Sequence, residues 1–172
     1  ANQIRIQTEF SAPKHGTELH LYGGESPYQH QAFDRDYRVF MPKESSSSLF
    51  PMKLGNMSVG TVVEVGSEVA KFKVGARVFG HLPIRETHTV SESRVHPLPE
   101  GMTPEQAVCL DPAHFAFVAV RDAHVRLGER VAIFGLGAIG LLAVQMAKLS
   151  GSEFVAACEP IALRRKPAER FG

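Results

Sequence analysis

The chain has no tryptophan, only two cysteines and a net charge of only +1 among its 172 residues. Cys109 and Cys158 lie far apart and form no CxxC pattern, so the sequence predicts buried, reduced thiols rather than a disulfide framework. Lysine and arginine number 19 against 18 aspartate and glutamate residues, and this balance disfavours nucleic acid and anionic membranes as partners. The N-terminus lacks a signal-peptide pattern, which favours a cytoplasmic protein.

Long apolar runs are also missing. The longest, residues 131–147, contains three glycines and one glutamine. Glycines in such positions mark a turn, so the run predicts a buried strand followed by a helix rather than a membrane span.

The pattern of the remaining residues indicates two parts. Residues 4–10 alternate as a half-buried strand does, residues 45–48 read as a short polar loop, and residues 60–66 and 72–79 predict strands separated by glycine turns. Such strands favour a small barrel or an irregular sheet. Thr103 and Pro104 then resemble the start of a helix, after which strands at 130–134 and 153–158 flank a helix that Gly151 ends. This alternation predicts a parallel sheet.

A glycine-rich motif, GLGAIG, joins the first strand of this second part to its helix. Gly135 permits a tight turn, Gly137 lets the backbone approach a pyrophosphate, and Gly140 allows close packing of helix on strand. The amide groups at the start of the helix would face the phosphate oxygens. The candidate cofactor-binding residues of this loop are Gly135, Leu136, Gly137, Ala138, Ile139 and Gly140.

An acidic residue follows at the distance that dinucleotide-binding folds require. Glu159 ends the next strand, where its carboxylate could accept hydrogen bonds from both ribose hydroxyls and would repel a 2′-phosphate. This favours NAD over NADP, although Arg164 and Arg165 nearby leave NADP open. Glu159 and Arg164 complete the predicted cofactor site.

The two parts together resemble the medium-chain dehydrogenase/reductase family of alcohol and polyol dehydrogenases. Residues 60–78 are similar to the GxVxxVG…VGDRV stretch of its GroES-like domain, and residues 127–140 to the entry into its nucleotide-binding domain. The resemblance implies an α/β fold with a β-rich part: a GroES-like catalytic domain over 1–103 and the first half of a Rossmann domain over 104–172. Relatives are about twice as long, so the sequence is expected to be truncated, with its first strands missing and its doubly wound parallel sheet incomplete.

The resemblance gives a meaning to the hexapeptide HGTELH at residues 15–20. Family members carry C-G-[ST]-D-x-H there, which implies that Thr17 passes the substrate proton towards His20. His15 stands in place of a zinc-binding cysteine and is a candidate donor to the substrate carbonyl, with Asp111 orienting or charging it. From the residues alone, a capped turn with solvated histidines stays open.

Catalytic zinc is not expected. The three positions that bind zinc in the family hold His15, Asn56 and Asp111, and a neutral amide is a poor ligand for zinc. The four-cysteine structural zinc loop is absent, and His81, His88 and His96 in that region are predicted to be surface loop residues.

The sequence therefore predicts an NAD(H)-dependent oxidoreductase that interconverts an alcohol and a ketone or aldehyde in a cleft between two domains, without zinc. A nucleotide-binding pseudoenzyme or sensor, and a zinc dehydrogenase with an atypical His and Asp site, are the alternatives. The expected partner is a small alcohol or carbonyl compound, and a homodimer or a homotetramer is left open.

Overall fold

A computed structural model describes residues 1–24, 26–43 and 50–171, and the chain divides into two compact units, Ala1–Val108 and Cys109–Gly172. The division falls after Val108, whereas the sequence placed it before Pro104. Helix α2 (Pro104–Val108) explains the difference, because it packs on the sheet of the first unit and buries Ala107 and Val108.

The start of α2 is built as predicted. The hydroxyl of Thr103 accepts a hydrogen bond from the backbone N–H of Gln106 at 3.3 Å. The side-chain amide oxygen of Gln106 accepts one in return from the N–H of Thr103 at 2.9 Å. This reciprocal pair is a capping box, which satisfies N–H groups that have no partner inside the helix.

The first unit is organised around a five-stranded antiparallel sheet. Its spatial order is β6-β1-β4-β5-β7. The strands are β1 (Gln3–Ala12), β4 (Met57–Val65), β5 (Arg77–Gly80), β6 (Thr87–Ser91) and β7 (His96–Pro97). Helix α1 (His15–Tyr22) follows β1, and a separate hairpin pairs β2 (Gln31–Asp34) with β3 (Val39–Pro42). The polar loop predicted at residues 45–48 lies outside the described residues.

One predicted strand is shorter than expected. The sequence predicted a strand over residues 72–79, but β5 begins only at Arg77. Residues 73–76 form a turn, in which the N–H of Ala76 donates to the carbonyl of Lys73 at 3.0 Å. Gly75 has a φ of +88° there, a value that glycine tolerates and that β structure does not use.

The core of the first unit lies on one face of the sheet. Ile6 on β1 pairs with Val62 on β4 and with His88 on β6, and all three side chains are buried. The prediction that His88 is a surface loop residue is therefore wrong, because His88 occupies an inward position of a strand whose residues alternate. The apolar members of this core are Ile4, Ile6, Val62, Phe72, Val78, Leu82 and Val95.

The second unit contains a β-α-β arrangement. Strand β8 (Arg130–Phe134) and strand β9 (Phe154–Cys158) are parallel, and α4 (Ala138–Leu149) connects them. Helix α3 (Leu110–Asp122) packs against α4, and α5 (Ala162–Glu169) follows β9. This confirms the predicted parallel pairing. Gly151, two residues after α4, has a φ of +86°, as expected for a residue that ends a helix.

The side chains of the second unit show two further outcomes. Leu136 of the glycine loop is buried with Val144 and Ala168, so the loop is part of the core. Cys109 and Cys158 are free thiols, but both are exposed, so the prediction of buried thiols is wrong. Cys158 ends β9, which pairs with one strand among the described residues, and its side chain is left accessible. None of the helices in the described part of the chain has the length and apolar character to cross a bilayer.

Candidate functional site

One end of the first sheet brings together three segments that are distant in the sequence. Strand β1 ends at Ala12, shortly before α1, and Ala12 pairs with Met57, the first residue of β4. On the other side of β4, Ser58 pairs with Gly80, the last residue of β5. Because neighbouring strands are antiparallel, α1, the residues before Met57 and the residues after Gly80 lie at the same end of the sheet.

Asn56 links these segments. Its backbone N–H donates to the carbonyl of Ala12 at 3.3 Å. Its side-chain Oδ1 lies 3.4 Å from Nδ1 of His81, the first residue after β5. His81 is exposed, as the sequence predicted, but the prediction gave it no connection to Asn56. Only the order of the strands reveals this connection, and the local sequence carries no signal for it.

Glu18 holds α1 against the segment that contains Asn56. The carboxylate is buried; its Oε2 accepts a hydrogen bond from the N–H of Lys14 at 2.5 Å, and its Oε1 accepts one from the N–H of Gly55. Lys14 provides no side-chain cap, so Glu18 satisfies the start of its own helix. Gly55 has a φ of +95°, and a side chain there would collide with Ile84. The carboxylate therefore joins two backbone segments at the end of the sheet.

The predicted proton-transfer residues lie on α1. The hexapeptide HGTELH is helical and not a turn, and Thr17, His20 and His15 are all exposed on it. Thr17 and His20 are three residues apart and share one face of the helix. His15 lies about 200° around the helix axis from Thr17, so the two side chains leave the helix on different sides. The grouping of Thr17 with His20 agrees with the predicted relay, whose role in catalysis stays a prediction.

Three residues stand at the positions that bind zinc in the family, His15, Asn56 and Asp111, and the expectation that they do not bind zinc stays a prediction. Asn56 offers an amide oxygen, which already lies beside the His81 ring. Asp111 is the second residue of α3 in the second unit and is half-buried. Across residues 1–24, 26–43 and 50–171, no three His, Cys, Asp or Glu side chains form a group that could hold a metal ion.

The glycine loop of the second unit has the geometry that its sequence predicts. The N–H of Gly135 donates to the carbonyl of Cys158 at 2.8 Å, and Gly135 has a φ of +88°. A Cβ on Gly140 would overlap the carbonyl oxygen of Gly135, whereas a Cβ on Gly137 would meet no atom within 4 Å. Close packing therefore requires glycine at position 140, whereas open space lies in front of Gly137. Residues 135–140 thus fit a pyrophosphate at the start of α4.

Glu159 contacts this loop directly. Its Oε2 accepts a hydrogen bond from the N–H of Leu136 at 2.9 Å, and its Oε1 accepts one from the N–H of Ile161 at 3.0 Å. The amide of Leu136, followed by that of Ile161 and by Arg164 and Arg165, holds the pKa of the Glu159 carboxyl below its ordinary value. Arg164 lies 4.0 Å from Oε2. Each carboxylate oxygen has a second lone pair for a ribose hydroxyl.

Comparison with known proteins agrees with this architecture. Residues 27–108 match the alcohol dehydrogenase GroES-like domain. D-guloside 3-dehydrogenase of Escherichia coli K12 is 40% identical over 179 aligned positions, which cover 100% of the chain and 51% of that protein. The chain belongs to the medium-chain dehydrogenase/reductase family. The resemblance drawn from the sequence is confirmed, and so is the predicted combination of a GroES-like domain with the start of a Rossmann domain.

The chain is also similar to the butanediol dehydrogenase of Bacillus subtilis, both in sequence and in structure. (R,R)-butanediol dehydrogenase of Bacillus subtilis is 29% identical, and the match covers 91% of the chain and 51% of that protein. The crystal structure of 2R,3R-butanediol dehydrogenase from Bacillus subtilis superposes with a TM-score of 0.72 at 26% identity, covering 99% of the chain and 55% of that structure. The chain spans about half the length of the curated relatives it matches.

Proposed function

We propose that the chain is part of an NAD(H)-dependent oxidoreductase that interconverts an alcohol and a ketone or aldehyde by hydride transfer. The observation that carries this proposal is the glycine loop, in which Gly137 faces open space at the start of α4 while Glu159 binds the amide of Leu136. A strand-to-helix turn with no ligand does not require space at Gly137. The similarity to D-guloside 3-dehydrogenase supports the same reaction class.

The substrate we propose is an alcohol with a second hydroxyl group near the reacting carbon. The names of the relatives support this class, since D-guloside, (R,R)-butanediol and sorbitol each carry two or more hydroxyl groups. The exposed polar residues at the end of the first sheet suit such a compound better than an apolar one, because polar side chains can replace the water that binds each hydroxyl.

NAD supplies the hydride acceptor when it is bound, and the chain supplies binding and a path for the proton. The hydroxyl of Thr17 hydrogen-bonds the substrate oxygen and takes its proton as the carbonyl forms. His20, on the same helix face, receives the proton that Thr17 releases and exchanges it with water. Glu18 keeps α1 in place through its bonds to Lys14 and Gly55. His15 leaves α1 on a different side from Thr17, so this proposal gives it no step, and the predicted role of Asp111 stays a prediction.

The full-length protein tests this proposal in two steps. Enhancement of NADH fluorescence on binding would show that the protein binds the cofactor. Turnover is then measured with NAD⁺ and NADP⁺ on 2,3-butanediol, sorbitol and methyl hexosides, using protein purified without chelator and protein treated with chelator. Turnover with NAD⁺ that survives chelation is expected.

Two other outcomes would contradict the proposal. Binding of NADH without turnover of any alcohol would indicate a nucleotide-binding pseudoenzyme. Turnover that is lost on chelation and restored by Zn²⁺ would indicate a zinc dehydrogenase. A Thr17→Val variant should lose most of its turnover while it binds NADH normally, because the valine has nearly the same shape but no proton to pass.

A further inference from the structure

His81 is a residue of the first unit to which the proposed mechanism gives no role. It follows β5 directly, and its ring is exposed at the end of the sheet that also holds α1 and Asn56. Of the two ring nitrogens, Nδ1 faces Asn56 Oδ1 at 3.4 Å. Within the described part of the chain, the hydrogen bond of the His81 ring is the one at Nδ1, and Nε2 makes none.

The contact with Asn56 determines which ring nitrogen carries hydrogen. An amide oxygen can only accept a hydrogen bond, so Nδ1 of His81 must donate to it. In the neutral imidazole the other nitrogen, Nε2, then has a lone pair and accepts. In the side-chain orientation that the structure shows, Asn56 therefore leaves Nε2 of the neutral ring as the acceptor.

The surroundings connect His81 to the proposed alcohol site. Asn56 is preceded by Gly55, whose N–H is bound by Glu18, and Glu18 neighbours Thr17 on α1. Two consecutive residues, Gly55 and Asn56, therefore bind both α1 and His81. The backbone N–H of Asn56 also donates to the carbonyl of Ala12 at the end of β1, at 3.3 Å.

We propose that His81 is a substrate-binding residue whose Nε2 accepts a hydrogen bond from the second hydroxyl of the substrate, with Asn56 as its positioning residue. The inference rests on the proposed function and extends it, because it assigns a residue to the selection of diols and polyols over simple alcohols. No bond is made or broken in this step. Thr17 binds the reacting oxygen, and His81 binds the hydroxyl beside it.

The experiment compares a diol with the matching simple alcohol on the full-length protein. KM and kcat are measured for 2,3-butanediol and for 2-butanol with His81→Phe, which keeps an aromatic ring, and with His81→Gln, which restores an acceptor. The control is His96→Phe, since His96 is an exposed histidine of the same sheet whose ring already stacks on Phe79. The binding of 2,3-butanediol is also measured directly by calorimetry.

Loss of one hydrogen bond should raise the KM for 2,3-butanediol about tenfold in His81→Phe, with little change in kcat. The KM for 2-butanol should stay unchanged, and His81→Gln should recover part of the loss. An Asn56→Leu variant should raise the KM for 2,3-butanediol by a smaller factor. In the double variant this KM should be no higher than in His81→Phe alone.

Other outcomes separate this inference from the proposed function. If both variants turn over the alcohols, and His81→Phe has the same KM values as His96→Phe for 2,3-butanediol and for 2-butanol, the inference is overturned and the proposed function stands. Diol binding that depends on His81 without any turnover would support the inference and overturn the function. If the protein neither binds the diol nor turns it over, both the inference and the proposed function are overturned.

Discussion

Glu159, at the end of β9, accepts a hydrogen bond from the backbone N–H of Leu136 in the glycine loop at 2.9 Å. The residue that the sequence assigned to the cofactor ribose is therefore also a structural part of the loop that would hold the cofactor phosphates. Because Leu136 is buried and Glu159 is nearly so, the bond is shielded from water. A single carboxylate thus couples the shape of the loop to its proposed selectivity for NAD.

We expect Glu159→Gln to weaken NADH binding by about tenfold and to reduce the preference for NADH over NADPH. The amide oxygen can still accept from the N–H of Leu136, the N–H of Ile161 loses its acceptor, and the charge that repels a 2′-phosphate is gone. Fluorescence titration with both cofactors measures the change. Glu169→Gln, an exposed change on α5, is the control. If Glu159→Gln and Glu169→Gln have the same preference for NADH over NADPH, Glu159 does not recognise the ribose.

Gly137→Ala should leave the fold unchanged and weaken NADH binding by about tenfold or more. Gly137 has a φ of −74°, and the added methyl group meets no atom within 4 Å, so no strain is expected. The methyl group would instead occupy the space in front of α4. Thermal unfolding and NADH titration together check both halves of the prediction.

The matched control is Gly16→Ala on α1, where a Cβ also meets nothing within 4 Å. It should bind NADH as the unaltered protein does, and alanine should slightly favour the helix. If Gly137→Ala also binds NADH normally, the open space at the start of α4 is not the pyrophosphate site.

Glu18→Ala should destabilise the first unit by about 1–3 kcal/mol, because two backbone N–H groups, those of Lys14 and Gly55, lose a buried acceptor. Turnover should fall by more than this loss of stability alone explains, since α1 carries Thr17 and His20. Chemical denaturation and steady-state kinetics give the two values. Glu100→Ala, at an exposed loop position, should change neither. A stable variant with full activity would contradict the structural role of Glu18.

The stability of the first unit should fall as the pH drops below about 6.5 because of His88. Burial, with a further contribution from Arg85, lowers the pKa of His88 in the fold. A base whose pKa is lowered on folding stays neutral in the native state while the unfolded chain takes up a proton. The contribution of His88 is therefore intact above the unfolded pKa and is lost as the pH falls from there to the folded pKa.

Thermal unfolding between pH 5 and pH 8 checks this effect in the unaltered protein and in His88→Leu. The variant should lose part of the pH dependence, whereas His96→Leu, a change at an exposed position, should retain it. If the slopes of stability against pH are the same in all three proteins, His88 is not the group responsible.

Much of the fold follows from local patterns in the sequence. The glycine motif at 135–140, the alternation of residues 4–10 and the capping residue Thr103 each predict an element that the structure confirms, because each depends on backbone geometry within a few residues. The strand predicted at 72–79 was too long, because the β-branched residues there favour a strand but the chain turns at Gly75. Burial of His88 and exposure of Cys158 depend on which strands become neighbours.

The sequence by itself therefore determined the family, the β-α-β start of the nucleotide-binding domain and the residues of the glycine loop, since these depend on short-range spacing. Only the tertiary structure decided that Glu18 binds Gly55, that Asn56 faces His81 and that Glu159 binds Leu136. Each of these pairs joins residues more than 20 positions apart. The physical reason is that strand order and register bring such residues together, and the spacing of nearby residues predicts neither of them.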